Sequence, residues 1–124
     1  MIKAIIFDMD GLLINSEPFW EEAEIEIFNK IGVPVTLKGT LNTMGLRIDE
    51  VVEYWYTKYP WTGPSKTQIE KEIVNKVIEL VNRKGEALPG VFEILKYFWD
   101  QKIPMAIASS SQMIIINAVV KKLK

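Results

Sequence analysis

Apolar residues from Ile2 to Phe7 run without a break except for Lys3, a stretch too short for a helix. It reads as a strand buried on both faces, as in a parallel sheet. Beyond it the spacing turns helical. Trp20, Ala23, Ile27, Phe28 and Ile31 form one stripe, with Ser16 placed to cap the helix, Pro18 in its first turn and Gly32 placed to end it. Pro34 to Thr43 reads as loop. A second stripe, Ile48, Val51, Val52, Trp55 and Tyr59, stops at Pro60, and residues 60–64 form a rigid turn. Ser65 and Gln68 then make a capping-box pattern ahead of Ile69, Ile73, Val77, Leu80 and Val81 on one helical face, closed by residues 82–85.

Leu88-Pro89-Gly90 marks a junction. Val91 to Gln101 is again helical, with Ile94, Leu95, Phe98 and Trp99 apolar. Pro104 to Ala108 reads as a second buried strand, followed by Ser109 to Ser111 and an apolar helix. The order is strand, three helices, helix, strand, helix. One helix suffices to cross between parallel strands, so the three extra ones predict a helical lobe inserted after the first strand. The predicted class is α/β, a parallel sheet with two strands and an inserted helical lobe, and a family resemblance carried by the motifs at the strand ends implies a truncated Rossmann-like sheet with an α-helical cap. Residues 1–15 and 88–124 would form the partial core and 16–87 the cap. Trp20, Tyr54, Trp55, Tyr56, Tyr59 and Trp61 fall in that cap, where packing accounts for them better than a ligand box. Glu21, Glu22, Glu24 and Glu26 read as a solvated face.

Candidate chemistry lies where the two strands end. Asp8 and Asp10 follow the first strand, and Gly11 permits a sharp turn. Side chains two apart on a strand point the same way, so both carboxylates can face the crevice at the strand ends, where ligands bind in open α/β sheets. The chain holds no histidine and no cysteine. That excludes Ser-His-Asp and Cys-His nucleophiles, His- or Cys-liganded zinc and thiolate phosphatases. The remaining oxygen ligands suit Mg²⁺. A carboxylate nucleophile suits a phosphoryl electrophile, with Asp8 attacking and Asp10 serving as acid and then base. Two carboxylates so close would resist joint ionisation, which favours a protonated partner or a bound Mg²⁺. Ser109 offers a hydroxyl, and the amides of Ser110 and Ser111 sit at a helix N-terminus, a natural anion site. An isolated Asp-x-Asp is commonly a turn feature, and three serines before a helix an N-cap. Here each ends a buried-strand pattern, and that context sets them apart.

Length and charge change little. The 124 residues carry 15 Lys or Arg against 16 Asp or Glu, a net charge of −1, and no basic stripe suited to nucleic acid. No apolar run approaches the roughly 18 residues of a membrane span, and the first strand contains no secretory cleavage pattern. A cytoplasmic protein binding neither nucleic acid nor membrane is expected.

Asp8-Met9-Asp10-Gly11-Leu12-Leu13 with Ser16-Glu17, and Ile107-Ala108-Ser109-Ser110-Ser111, resemble the first two motifs of the haloacid dehalogenase superfamily. Residues 45–49, Trp55-Tyr56, Pro60-Trp61, residues 63–65 and residues 88–90 resemble its hexitol phosphatase, or 2-deoxyglucose-6-phosphate phosphatase, subgroup. The resemblance implies a phosphatase of small sugar or polyol phosphates. Asp8 would be the nucleophile and Asp10 the general acid/base, with Mg²⁺ on the Asp8 carboxylate and the Asp10 carbonyl. Ser109 and the Ser110 amide would hold the phosphoryl group, and Arg47 would meet the substrate. Two departures stand out. Asn15 occupies a position usually held by Asp, and the family's later lysine and acidic pair are not found after Ser109, since Lys121, Lys122 and Lys124 come too early. The chain is therefore expected to be a poor catalyst alone. The alternatives are a non-catalytic truncated remnant or a sugar phosphomutase of the same superfamily. The short sheet also predicts an exposed apolar edge at Ile5, Ile6 and Ile107, with Ile114, Ile115 and Ile116 adding to it, which a second chain would cover.

Overall fold

Ile5–Phe7 forms strand β1 and Met105–Ile107 strand β2, each shorter than the apolar run containing it. They pair in parallel, with Ile5 opposite Met105, Ile6 opposite Ala106 and Phe7 opposite Ile107. The computed structural model describes residues 1–123, so Lys124 lies outside the described residues. The helices are α1 (Glu17–Lys30), α2 (Leu37–Thr40), α3 (Ile48–Lys58), α4 (Lys66–Lys84), α5 (Val91–Asp100) and α6 (Met113–Leu123). The fold is α/β with a two-stranded parallel sheet among the described residues.

The chain divides into two units, one of Met1–Glu17 with Val81–Lys124 and one of Pro18–Leu80. In the first, Met9, Leu13, Ile14, Val91, Ile115 and Val119 are buried. The strands are not buried on both faces as their composition predicts. Successive side chains alternate: Phe7 lies with its ring 6.3 Å from that of Phe98, whereas Ile6 projects from the opposite face and is 71% exposed. Helix α5 behaves alike, with Ile94 exposed and Trp99 75% exposed. On α6 the predicted exposure holds for Ile114 but not for Ile115, which faces inward and is fully buried.

The second unit is organised around Phe28, whose ring sits 6.2 Å from that of Trp55 and 6.0 Å from that of Trp61. The Trp61 indole N–H donates to the Pro64 carbonyl at 2.9 Å, pinning the Pro-rich turn. The predicted stripes are buried on α3 and α4, except that Tyr59 lies past the end of α3 and is exposed. Ser65 caps α4 as predicted, accepting from the Gln68 N–H at 3.1 Å. Residues 34–43, read as loop, contain α2 and a 3₁₀ turn at Leu41–Thr43. The Thr36 hydroxyl accepts from the Gly39 N–H at 3.1 Å and stops one helix end from fraying. Glu24, read as solvated, is 6% exposed and accepts from the Thr43 hydroxyl at 3.5 Å.

At the end of α4 the Gly85 N–H donates to the Val81 carbonyl at 2.8 Å, and a Cβ on Gly85 would overlap that oxygen. Gly85→Ala is expected to cost about 1–3 kcal/mol, as overpacking against backbone does, read as a lowered urea midpoint with an unchanged slope. The Lys122 ammonium further closes α4, donating to the Asn82 carbonyl at 2.9 Å.

Candidate active site

β1 stops at Phe7, and the next residues leave the strand. Gly11 takes φ +81°, a conformation only glycine adopts cheaply. Its N–H donates to the Ile14 carbonyl at 2.8 Å and the Leu13 N–H to the Met9 carbonyl at 2.9 Å, closing a tight loop. Met9 is buried in it, with Asp8 and Asp10 on either side. At the other strand, the Ala108 N–H donates to the Phe7 carbonyl at 2.9 Å. That bond holds the two strand ends together, so the serines of one emerge beside the carboxylates of the other.

Asp10 takes three hydroxyl donors. Ser16 Oγ donates to its Oδ1, and Ser109 and Ser111 donate to its Oδ2 at 3.3 and 3.2 Å. The Ser111 N–H in turn donates to Ser109 Oγ at 3.1 Å. Asp8 is exposed, and its Oδ1 accepts from the Met9 N–H at 2.8 Å. Strand alternation does not relate the two carboxylates, because the strand has ended. One opens to solvent and the other is wrapped by hydroxyls. Ser110 is exposed at the start of the turn into α6.

Two of these roles were hidden in the sequence. Ser16, read as a helix cap, is buried and spends its hydroxyl on Asp10. The sequence offers the amide of Ser111, and its hydroxyl also reaches Asp10 across 101 residues of chain. Proximity of Ser16 to the acidic turn was the one available signal.

Arg47 belongs to the Pro18–Leu80 unit, just before α3, with its side chain 62% exposed. Its Nε and Nη2 donate to the two Asp49 carboxylate oxygens at 3.2 and 3.3 Å, and Nε lies 3.3 Å from Glu50. The hydrogen bond to Asp49, then the two carboxylate charges, raise the Arg47 pKa further above its ordinary value. The same bond holds Asp49 below the usual carboxylate range.

Among the described residues no three acidic side chains converge as a metal cluster. The donors at the strand ends are nonetheless hard oxygens, the Asp8 carboxylate exposed among them. Mg²⁺ keeps several waters and needs only one or two carboxylates, so this donor set fits it. No described helix is long and apolar enough to cross a membrane.

A parallel sheet whose adjacent strand ends present Asp-x-Asp-Gly and a serine defines a class, and the family model described as haloacid dehalogenase-like hydrolase matches residues 5–124. The chain belongs to that family. It is 40% identical over 119 residues to hexitol phosphatase B of Escherichia coli K12, covering 95% of this chain and 54% of that protein. Among solved structures, CbbY from Rhodobacter sphaeroides in complex with phosphate superposes with a TM-score of 0.85 at 19% identity, over 99% of this chain and 57% of that one. β-Phosphoglucomutase from Clostridium difficile gives 0.74 at 22% identity, over 100% and 60%. The chain thus spans about half the length of the relatives it matches.

Proposed function

We propose that the chain carries the nucleophile-bearing part of an Mg²⁺-dependent phosphatase acting on small sugar or polyol phosphates in the cytoplasm. The observation that carries this reading is the contrast between its two carboxylates. Asp8 is open to solvent, as a nucleophile must be, and Asp10 is held by three hydroxyls beside it. The 40% identity to hexitol phosphatase B supports the substrate class. CbbY, which shares the fold, has been crystallised with phosphate and with xylulose-(1,5)bisphosphate.

In the first step an Asp8 oxygen forms a bond to phosphorus while the bond from phosphorus to the sugar oxygen breaks. Asp10 gives that oxygen a proton. In the second, Asp10 takes a proton from water, the water oxygen bonds to phosphorus, and the Asp8–phosphorus bond breaks. Ser109 and the Ser110 amide hold the phosphoryl oxygens, and Arg47 is the residue that the resemblance assigns to the substrate. Mg²⁺ on the Asp8 carboxylate and the Asp10 carbonyl would offset the phosphate charge. The exposed Ile6 and Trp99 support cover of this apolar surface by a second chain.

With sorbitol 6-phosphate and Mg²⁺, inorganic phosphate is expected to appear, to stop on chelation and to resume when Mg²⁺ is restored. Release that continues in the chelator contradicts the metal assignment. An isomerised sugar phosphate without free phosphate contradicts the hydrolase reading in favour of a mutase. No change in any sugar phosphate marks a non-catalytic chain.

A further inference from the structure

We infer that the hydroxyls of Ser109 and Ser111 are donors shared between Asp10 and an incoming phosphoryl group, so that Ser111 positions Asp10 and phosphate binding releases it. This rests on reading the strand ends as a phosphoryl-transfer site. A serine hydroxyl has one proton to donate and two lone pairs to accept with. The Ser109 proton is committed to Asp10 Oδ2 at 3.3 Å, and one of its lone pairs takes the Ser111 N–H at 3.1 Å. The Ser111 proton goes to the same carboxylate oxygen at 3.2 Å. Phosphoryl oxygens are strong acceptors. Either hydroxyl can therefore serve a phosphoryl group only by turning its proton away from Asp10.

The remaining contacts make that exchange orderly. Ser16 holds Oδ1 from a buried position, so Asp10 stays tethered by one oxygen when the other is released. The Ser111 N–H uses a lone pair of Ser109, not its proton, so Ser109 keeps its place while its proton switches acceptor. A hydroxyl rotates about one bond, and no backbone movement is required. The released Oδ2 then becomes the oxygen that handles the proton of the leaving group or of water. Ser111 on this account positions Asp10 until phosphate arrives and then turns its proton to the phosphoryl group.

The test is a titration of inorganic phosphate into protein carrying ¹³C-labelled aspartate, with the Asp10 side-chain resonance assigned by Asp10→Asn and binding measured in parallel by calorimetry. The Asp10 resonance is expected to move with the same midpoint as binding. Ser111→Ala is expected to weaken phosphate about 3- to 10-fold, the loss of one hydrogen bond. It should also leave the phosphate-free Asp10 resonance displaced toward its bound position, and Ser111→Thr should restore both. Phosphate that binds while the Asp10 resonance stays put overturns the inference and leaves the site reading standing. A Ser111→Ala protein that melts earlier but binds phosphate with an unchanged Asp10 response has lost only a structural contact, and also overturns it. No phosphate binding at all overturns both. Should Ser111→Ala fail to fold, the wild-type and Ser111→Thr titrations decide alone.

Discussion

Asp8→Asn is expected to abolish the phosphate release that the proposed function assigns to the chain, since enzymes lose rate by about 10⁴-fold or more when a covalent nucleophile is removed. The amide keeps the shape of the carboxylate but cannot form the bond to phosphorus. Folding should be untouched. Asp8 is exposed, and its Oδ1 contact is the adjacent Met9 N–H, which an amide oxygen also accepts. The variant's thermal midpoint should stay within what a surface change produces, about 0.5 kcal/mol. A large loss of rate at constant stability separates a chemical role from a structural one.

Phe28→Ala carries the largest expected effect on stability. The side chain is fully buried in the Pro18–Leu80 unit, between the rings of Trp55 and Trp61. Removing it costs the transfer energy of the ring and leaves a cavity, about 3–5 kcal/mol in a core that does not collapse. That is a large share of a domain's total stability. Both tryptophans report on the loss, so urea unfolding followed by their fluorescence should show a midpoint moved sharply downward. Tyr59→Ala serves as the control, since Tyr59 is exposed and stacks on Trp55 from the end of α3. Its cost should be several-fold smaller. Equal effects would mean that Phe28 is not the centre of this unit.

How far the sequence carried depends on the range of the signal. Helix α4 was legible because its stripe repeats over several turns and its cap is local, Ser65 bonded to Gln68. Helix α2 has four residues, too few for any periodicity, and its one signal was a capping threonine. Glu24 was legible in retrospect. It stands three and four residues before Ile27 and Phe28, on their side of the helix, and a count of charges hid that position. Apolar spacing also marks a face without saying what covers it, which is why Ile6, Ile94 and Trp99 came out exposed.

The active-site reading divides along the same line. The acidic pair and its glycine turn are local, and the sequence displays them whole. The wrapping of Asp10 joins Ser16 to serines 99 and 101 residues away from that carboxylate, and only the pairing of β1 with β2 brings them together. That long-range contact gives the two carboxylates different surroundings. The division of labour proposed for Asp8 and Asp10 is already read from the sequence, and these different surroundings support it.

The most direct test is to find where the phosphoryl group goes. The protein is mixed with sorbitol 6-phosphate and Mg²⁺, quenched in acid, digested and mapped by mass spectrometry. The account predicts the mass gain of one phosphoryl group on the peptide carrying Asp8, absent from the Asp8→Asn variant. A phosphoryl group on any other residue, phosphate release that survives Asp8→Asn, or no labelled peptide at all would contradict it.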